Sequence, residues 1–230
     1  MNLIFLHGSG CSSNVWDQQL SYFNDSIALD FPGRPEGEVL SNVNDLAHWL
    51  LNYIHNNELK NVVLVGHSLG SAVAMKAALL DTTNIKGLVL IGAGARLKVM
   101  PQLLRSLSAL VEASTEIPDA FLLANKNIPE PFKTKINLSI KKTGAEVMLN
   151  DFNACDQFDV MNQLASIKIP VQIIVGEEDS MTPAKYASFL HERLPMSQLD
   201  VIKSGTHMVF AEQAGLVNNK IQEFIANRLK

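Results

Sequence analysis

In this 230-residue chain, the residues best suited to covalent chemistry gather first around Ser68. The stretch Val62-Val63-Leu64-Val65-Gly66-His67-Ser68-Leu69-Gly70-Ser71-Ala72 reads as a buried strand, a G-x-S-x-G turn and a helix that opens with small residues. A nucleophile elbow requires that setting. The backbone of such a turn is strained and its neighbours must be tiny, hence Gly66 and Gly70, while Ser71 and Ala72 let helix and strand pack closely. Because Ser68 lies at a helix N-terminus, the Leu69 amide is placed to stabilise a developing oxyanion. A serine between glycines also serves simply as a helix cap. The strand before it and the helix after it favour the nucleophile.

A serine nucleophile needs a base, and the chain offers His7, His48, His55, His67, His191 and His207. His207 follows the last strand-like run and sits beside Gly205 in a loop, from which it can reach Ser68 over the sheet edge. An imidazole titrates near neutral pH, so it can take the serine proton and return it to a leaving group. His48, His55 and His191 fall within helical stretches and read as surface or packing residues. His7 and His67 flank the active-site turns, where structural hydrogen bonds are expected, with substrate contact as a further use. The base needs an orienting acid on its other ring nitrogen, and Asp179 follows the run Val171–Val175 by a short loop. Glu177 and Glu178 are its rivals in sequence. Asp156 and Asp159 precede the strand and read as cap or hinge residues.

Short apolar runs must position these groups: Leu3–Leu6, Ile27–Leu29, Val62–Val65, Leu88–Ile91, Val171–Val175 and Leu199–Ile202. Most are rich in Val, Ile and Leu without polar alternation, as in parallel strands buried on both faces. Between them, Asn42–Ile54, Ser68–Leu80, Pro183–Leu194 and Ala211–Leu229 carry helical spacing. Ser41 or Asn42 is placed to cap the first, and Thr182 the third, with Pro183 at its first turn. An α/β fold with about six strands follows. Residues 95–164 break the rhythm with amphipathic segments punctuated by Pro101, Pro118, Pro129, Pro131 and Gly144, and read as a helical cap inserted into a core of residues 1–94 and 165–230.

Five segments in register make the chain resemble the α/β-hydrolase superfamily along nearly its whole length. They are His7-Gly8-Ser9-Gly10, Asp30-Phe31-Pro32-Gly33-Arg34, the elbow at Ser68, and the loops Gly176–Pro183 and Gly205–Met208, which carry the acid and the histidine in the superfamily's order Ser, Asp, His. The resemblance implies a three-layer α/β-hydrolase fold with a shortened, mostly parallel sheet, Asp179 as the acid, and the Ser9 amide as second oxyanion donor beside that of Leu69. Because the first residues already form the HG strand, the chain is similar to the compact esterase and hydroxynitrile-lyase branch. It implies hydrolysis of a small apolar carboxylic ester. Thioester and carbon–carbon bond hydrolysis use the same three groups, and some relatives keep them only to bind ligand.

Val99–Leu107 and Phe121-Leu122-Leu123 offer apolar and methionine side chains to roof a pocket over Ser68, with Met100, Leu104 and Met208 as candidate substrate contacts beside His7 and His67. The formal charge of −4, without runs of like charge, shows no footprint for nucleic acid or an anionic membrane. The expected partner is a small ester-type molecule. No stretch of about 18 apolar residues and no basic leader are present, so cytoplasmic residence without membrane insertion is the expectation. Cys11 and Cys155 are then expected as reduced thiols. No residues at metal-ligand spacing are seen, so neither metal nor cofactor is expected.

Overall fold

The computed structural model describes residues 1–34, 37–125 and 127–229. Among these residues, six strands form one sheet in the order β2-β1-β3-β4-β5-β6: β1 (Asn2–Leu6), β2 (Ser26–Leu29), β3 (Val62–His67), β4 (Ile85–Ile91), β5 (Val171–Gly176) and β6 (Ser197–Ile202). Every pairing is parallel. All strand C-termini therefore open on one edge, where ligands of open α/β sheets bind. β1, β3, β4 and β5 are buried, as their unbroken apolar runs predict, whereas the edge strands β2 and β6 are largely half-exposed.

Strand side chains alternate between two cores. Ile4, Leu6, Leu64 and Leu90 face α2 (Val43–Asn56), α3 (Leu69–Leu80) and α6 (Ala184–Arg193). Leu3, Phe5, Val65 and Ile91 face Trp16, α7 (Val209–Glu212) and α8 (Ala214–Arg228). The period of two in a pleated strand divides the layers in this way. Each such fully buried side chain contributes about 1.5–3 kcal/mol of transfer free energy. The three layers match the expected fold class.

Element ends show where local signals were outweighed. Asn42, not Ser41, caps α2, accepting from the Asp45 N–H at 2.9 Å. Thr182 does not cap α6: Pro183 holds that position, and the Thr182 hydroxyl is committed to Asp179. The stretch Ala211–Leu229 is not one helix, because Gln213 (φ −128°, ψ 49°) separates α7 from α8. A short helix α1 (Asp17–Leu20), following a 3-10 turn at Ser13–Trp16, had no clear periodicity to announce it.

Within residues 95–164 lie α4 (Pro101–Glu112), a 3-10 stretch at Asp119–Asn125, and α5 (Phe132–Gln157), which kinks at Gly144 (φ 86°, ψ 167°). The two ends of this segment meet. An antiparallel bridge joins Arg96 and Asp159, and Asp156 accepts from the Val99 N–H at 3.0 Å and from the Lys98 ammonium at 3.3 Å.

Candidate active site

Ser68 sits between β3 and α3 at φ 51°, ψ −114°, a strained conformation for any residue but glycine. Its side chain makes no capping hydrogen bond to α3, so the simple role of helix cap does not account for it. The turn closes because the strand and helix touch backbone to backbone: a Cβ on Gly66 would lie 2.3 Å from the Gly70 carbonyl oxygen, and one on Gly70 only 2.1 Å from that of Leu6. Gly70→Ala must push α3 off β1. We expect a loss of about 1–3 kcal/mol, seen by calorimetry as a melting temperature lowered by roughly 2–12 °C. An unchanged melting temperature would contradict the close approach.

His207 follows β6 and Asp179 follows β5, neighbouring strands whose loops meet at the same edge. The His207 Nδ1 lies 2.8 Å from Asp179 Oδ2. Asp179 Oδ1 accepts from the N–H groups of Met181 (2.9 Å) and Thr182 (2.8 Å), and Oδ2 also accepts from the Thr182 hydroxyl at 2.8 Å. Burial would raise the Asp179 carboxyl, but the His207 bond and charge together with the Thr182 donors outweigh it and hold the group below its ordinary range. With Nδ1 engaged, Nε2 is the His207 nitrogen left for the cavity that Ser68 also lines. The sequence marks Thr182 as a cap; its role beside Asp179 depends instead on the fold of the acid loop, which no local pattern reports.

The other acid candidates lie elsewhere. Glu177 and Glu178 are exposed, Glu177 accepting from the Ser204 N–H at 3.2 Å, and Asp156 and Asp159 tie the neck of the 95–164 segment. His67 lines the cavity, yet its ring is buried between His207 (centroids 4.6 Å apart) and Phe210 (4.8 Å). Its Nε2–H donates to the His207 carbonyl at 3.0 Å. Burial, aided by the His207 charge, drives its pKa well below the ordinary value, so the ring is neutral and braces the histidine loop. His7 does not reach the cavity. Fully buried, it donates from Nδ1 to the Gly8 carbonyl (2.9 Å) and accepts the Phe31 N–H at Nε2 (3.2 Å), and burial together with the Arg34 charge brings its pKa to about 3. His7 thus makes the expected structural hydrogen bonds and is not placed for the further use of substrate contact.

The loop after β1 carries Ser9, half-buried at the cavity wall. Its Oγ lies 3.4 Å from the Cys155 Sγ. Cys11 and Cys155 are both free thiols, and burial pushes each up to about 12. At that value neither is a thiolate nucleophile near neutral pH.

Over Ser68 and His207 lies a cavity in two lobes, of about 440 Å³ and 200 Å³. Met100, Leu103, Phe152 and Met181 wall both. Met208, Phe121 and Met148 belong to the larger, Tyr186 and Leu97 to the smaller. Met100 and Met208, candidates from the sequence, thus line the cavity. Leu104 does not: one residue along the helix turns the side chain about 100° away, and Leu103 takes the cavity wall instead. Leu123, grouped with Phe121 from the sequence, lies outside the residues whose side chains are described. Met148 and Phe152 of α5 were missed, because the Gly144 kink resets the helical phase and blurs the apolar stripe. Among the described residues no cluster of three or more His, Cys, Asp or Glu groups could hold a metal ion, and no helix is long and apolar enough to cross a membrane.

Comparison with known proteins agrees with this fold. Residues 3–220 match the pattern of the alpha/beta hydrolase family. A pimeloyl-[acyl-carrier protein] methyl ester esterase of Pseudoalteromonas atlantica is 28% identical over 211 residues, 84% of this chain and 81% of that protein. Among solved structures, a lipase-esterase related protein from Clostridium acetobutylicum superposes with a TM-score of 0.85 at 27% identity, covering 97% of this chain and 94% of that one. A thermophilic esterase superposes at 0.84 with 29% identity, covering 98% and 89%.

Proposed function

The chain belongs to the alpha/beta hydrolase family, and on that premise we propose that it hydrolyses a small carboxylic ester with an apolar acyl or alcohol part through an acyl-enzyme on Ser68. Ester hydrolysis is the general chemistry of its esterase relatives. The Ser68 Oγ attacks the ester carbonyl carbon while His207 Nε2 takes its proton; Asp179 holds the ring in the required tautomer and stabilises the imidazolium. The N–H groups of Leu69, at the start of α3, and of Ser9 receive the charge that forms on the carbonyl oxygen. When the tetrahedral adduct collapses, His207 protonates the departing alcohol. Water then attacks the acyl-enzyme, with His207 as base, and the acid leaves.

One observation carries this reading: a strained serine that does not cap its helix shares a cavity with a histidine whose Nδ1 is bonded to a buried carboxylate. The substrate class rests on the lining, in which apolar side chains, the methionines among them, outweigh polar ones. A fluorophosphonate probe and p-nitrophenyl esters of graded length test it, alongside thioesters and β-diketones, with Ser68→Ala as blank. We expect stoichiometric labelling, an acyl burst, and turnover greatest on apolar esters. Folded protein that neither labels nor bursts would leave a ligand-binding relative without turnover. Preference for thioesters or β-diketones would move the reaction, with the same three groups, to those bonds.

A further inference from the structure

The turn Asp30-Phe31-Pro32-Gly33-Arg34 has no part in the chemistry so far, and the segment 95–164 only roofs the cavity; one buried contact joins them. The guanidinium of Arg34 pairs with the carboxylate of Asp151 on α5, both nearly sealed from solvent. The same Asp151 Oδ2 accepts the Gly10 N–H at 2.8 Å, and Arg34 Nε donates to the Cys11 carbonyl at 2.8 Å. α5 also meets the residues on either side: Cys155 lies against Ser9, and Met148 packs on Gly10, where a Cβ would come within 2.5 Å of its Cε. Gly10 is itself left-handed (φ 69°), a conformation glycine adopts freely, so neighbouring contacts must hold it. Asp30 completes the frame by accepting from Ser13 N–H and Oγ at 2.6 and 3.0 Å. Each of Ser9, Gly10 and Cys11 is thus tied to α5 directly or through Arg34.

We propose that Asp151 and Arg34 are positioning residues for the reaction, clamping the loop Gly8–Cys11 so that the Ser9 N–H is aimed at the developing oxyanion before substrate binds. This rests on the reading under Proposed function that Ser9 is an oxyanion donor. An oxyanion hole stabilises the transition state because its dipoles are fixed in advance and need no reorganisation during reaction. A backbone N–H on a loop rich in glycine has no such fixity of its own. The Gly10 N–H and the Cys11 carbonyl lie one and two residues beyond Ser9, and the ion pair restrains both. The helix that roofs the substrate thereby also presets the hole.

Two variants test this by steady-state kinetics and calorimetry on the whole chain. Asp151→Asn keeps an acceptor for the Gly10 N–H but no longer neutralises Arg34. The double variant Asp151→Leu/Arg34→Met removes both charges together, an exchange that buried ion pairs tolerate in many folds. We expect kcat to fall by up to about 10²–10³-fold, the range for losing one oxyanion donor, with KM nearly unchanged. Affinity for a trifluoromethyl ketone, whose adduct with Ser68 places an oxyanion in the hole, should fall in parallel with kcat/KM. Wild-type kcat in either folded variant overturns the proposal, as does a raised KM with kcat unchanged, the signature of a mere roof. Failure of both variants to fold would assign the pair to stability alone and overturn it too. Absence of turnover by the wild-type protein would instead sink the ester-hydrolase reading.

Discussion

Ser68→Ala is expected to lower kcat for ester hydrolysis by about a millionfold, leaving only the residual rate that binding and oxyanion donors supply without a nucleophile. The substitution removes one oxygen from a side chain that makes no capping bond to α3, and alanine inherits the same φ of 51° with no larger side chain. The fold should therefore survive, and the loss should be chemical. His207→Ala should cost about as much, and the double variant no more than either, because a nucleophile without its base and a base without its nucleophile fail at the same step. Burst amplitude and kcat on the preferred p-nitrophenyl ester check this. More than one per cent of wild-type kcat in folded Ser68→Ala would remove the serine from the mechanism. Strictly additive losses in the double variant would show that Ser68 and His207 do not act together.

Asp179→Asn should lower kcat about ten-thousandfold, and the hydrogen bonds around Asp179 show why. Its Oδ1 receives the Met181 and Thr182 N–H groups, which an asparagine oxygen can still accept, so the acid loop keeps its shape. The amide NH₂ then occupies the place of Oδ2, facing His207 Nδ1. A donor there selects the tautomer with the proton on Nε2, and that nitrogen can no longer take a proton from Ser68. Calorimetry beside the kinetics distinguishes a tautomer effect from unfolding. Near-normal turnover by Asp179→Asn would pass the orienting role to another carboxylate, with Glu178 next in line although it is exposed.

Most of the fold and the centre of the site are legible in the chain because their signals are local. An apolar run of four to six residues suits an interior strand of a parallel sheet, buried on both faces, so β1, β3, β4 and β5 are recognisable one at a time. Gly66 and Gly70 mark the elbow because contacts of 2.3 and 2.1 Å would forbid any Cβ. The parallel order of the strands then brings the loops carrying Ser9, Ser68, Asp179 and His207 to a single edge. Edge strands are harder to read, since β2 and β6 bury less and resemble many half-exposed segments.

By itself, the sequence determined the α/β class and marked the turn at Ser68 with its two glycines and the loops that carry His207 and Asp179 as candidates. Each of these depends on residues a few positions apart. Only the tertiary structure decided that Thr182 braces Asp179 rather than capping α6, that His7 is sealed beneath the site, that Leu103 rather than Leu104 walls the cavity, and that Arg34 and Asp151 clamp the Ser9 loop. Arg34 and Asp151 are 117 positions apart. Their pairing depends on how α5 packs after its kink at Gly144. A contact of that kind leaves no periodicity in either segment, because it belongs to the packing of one element on another and not to the propensity of either.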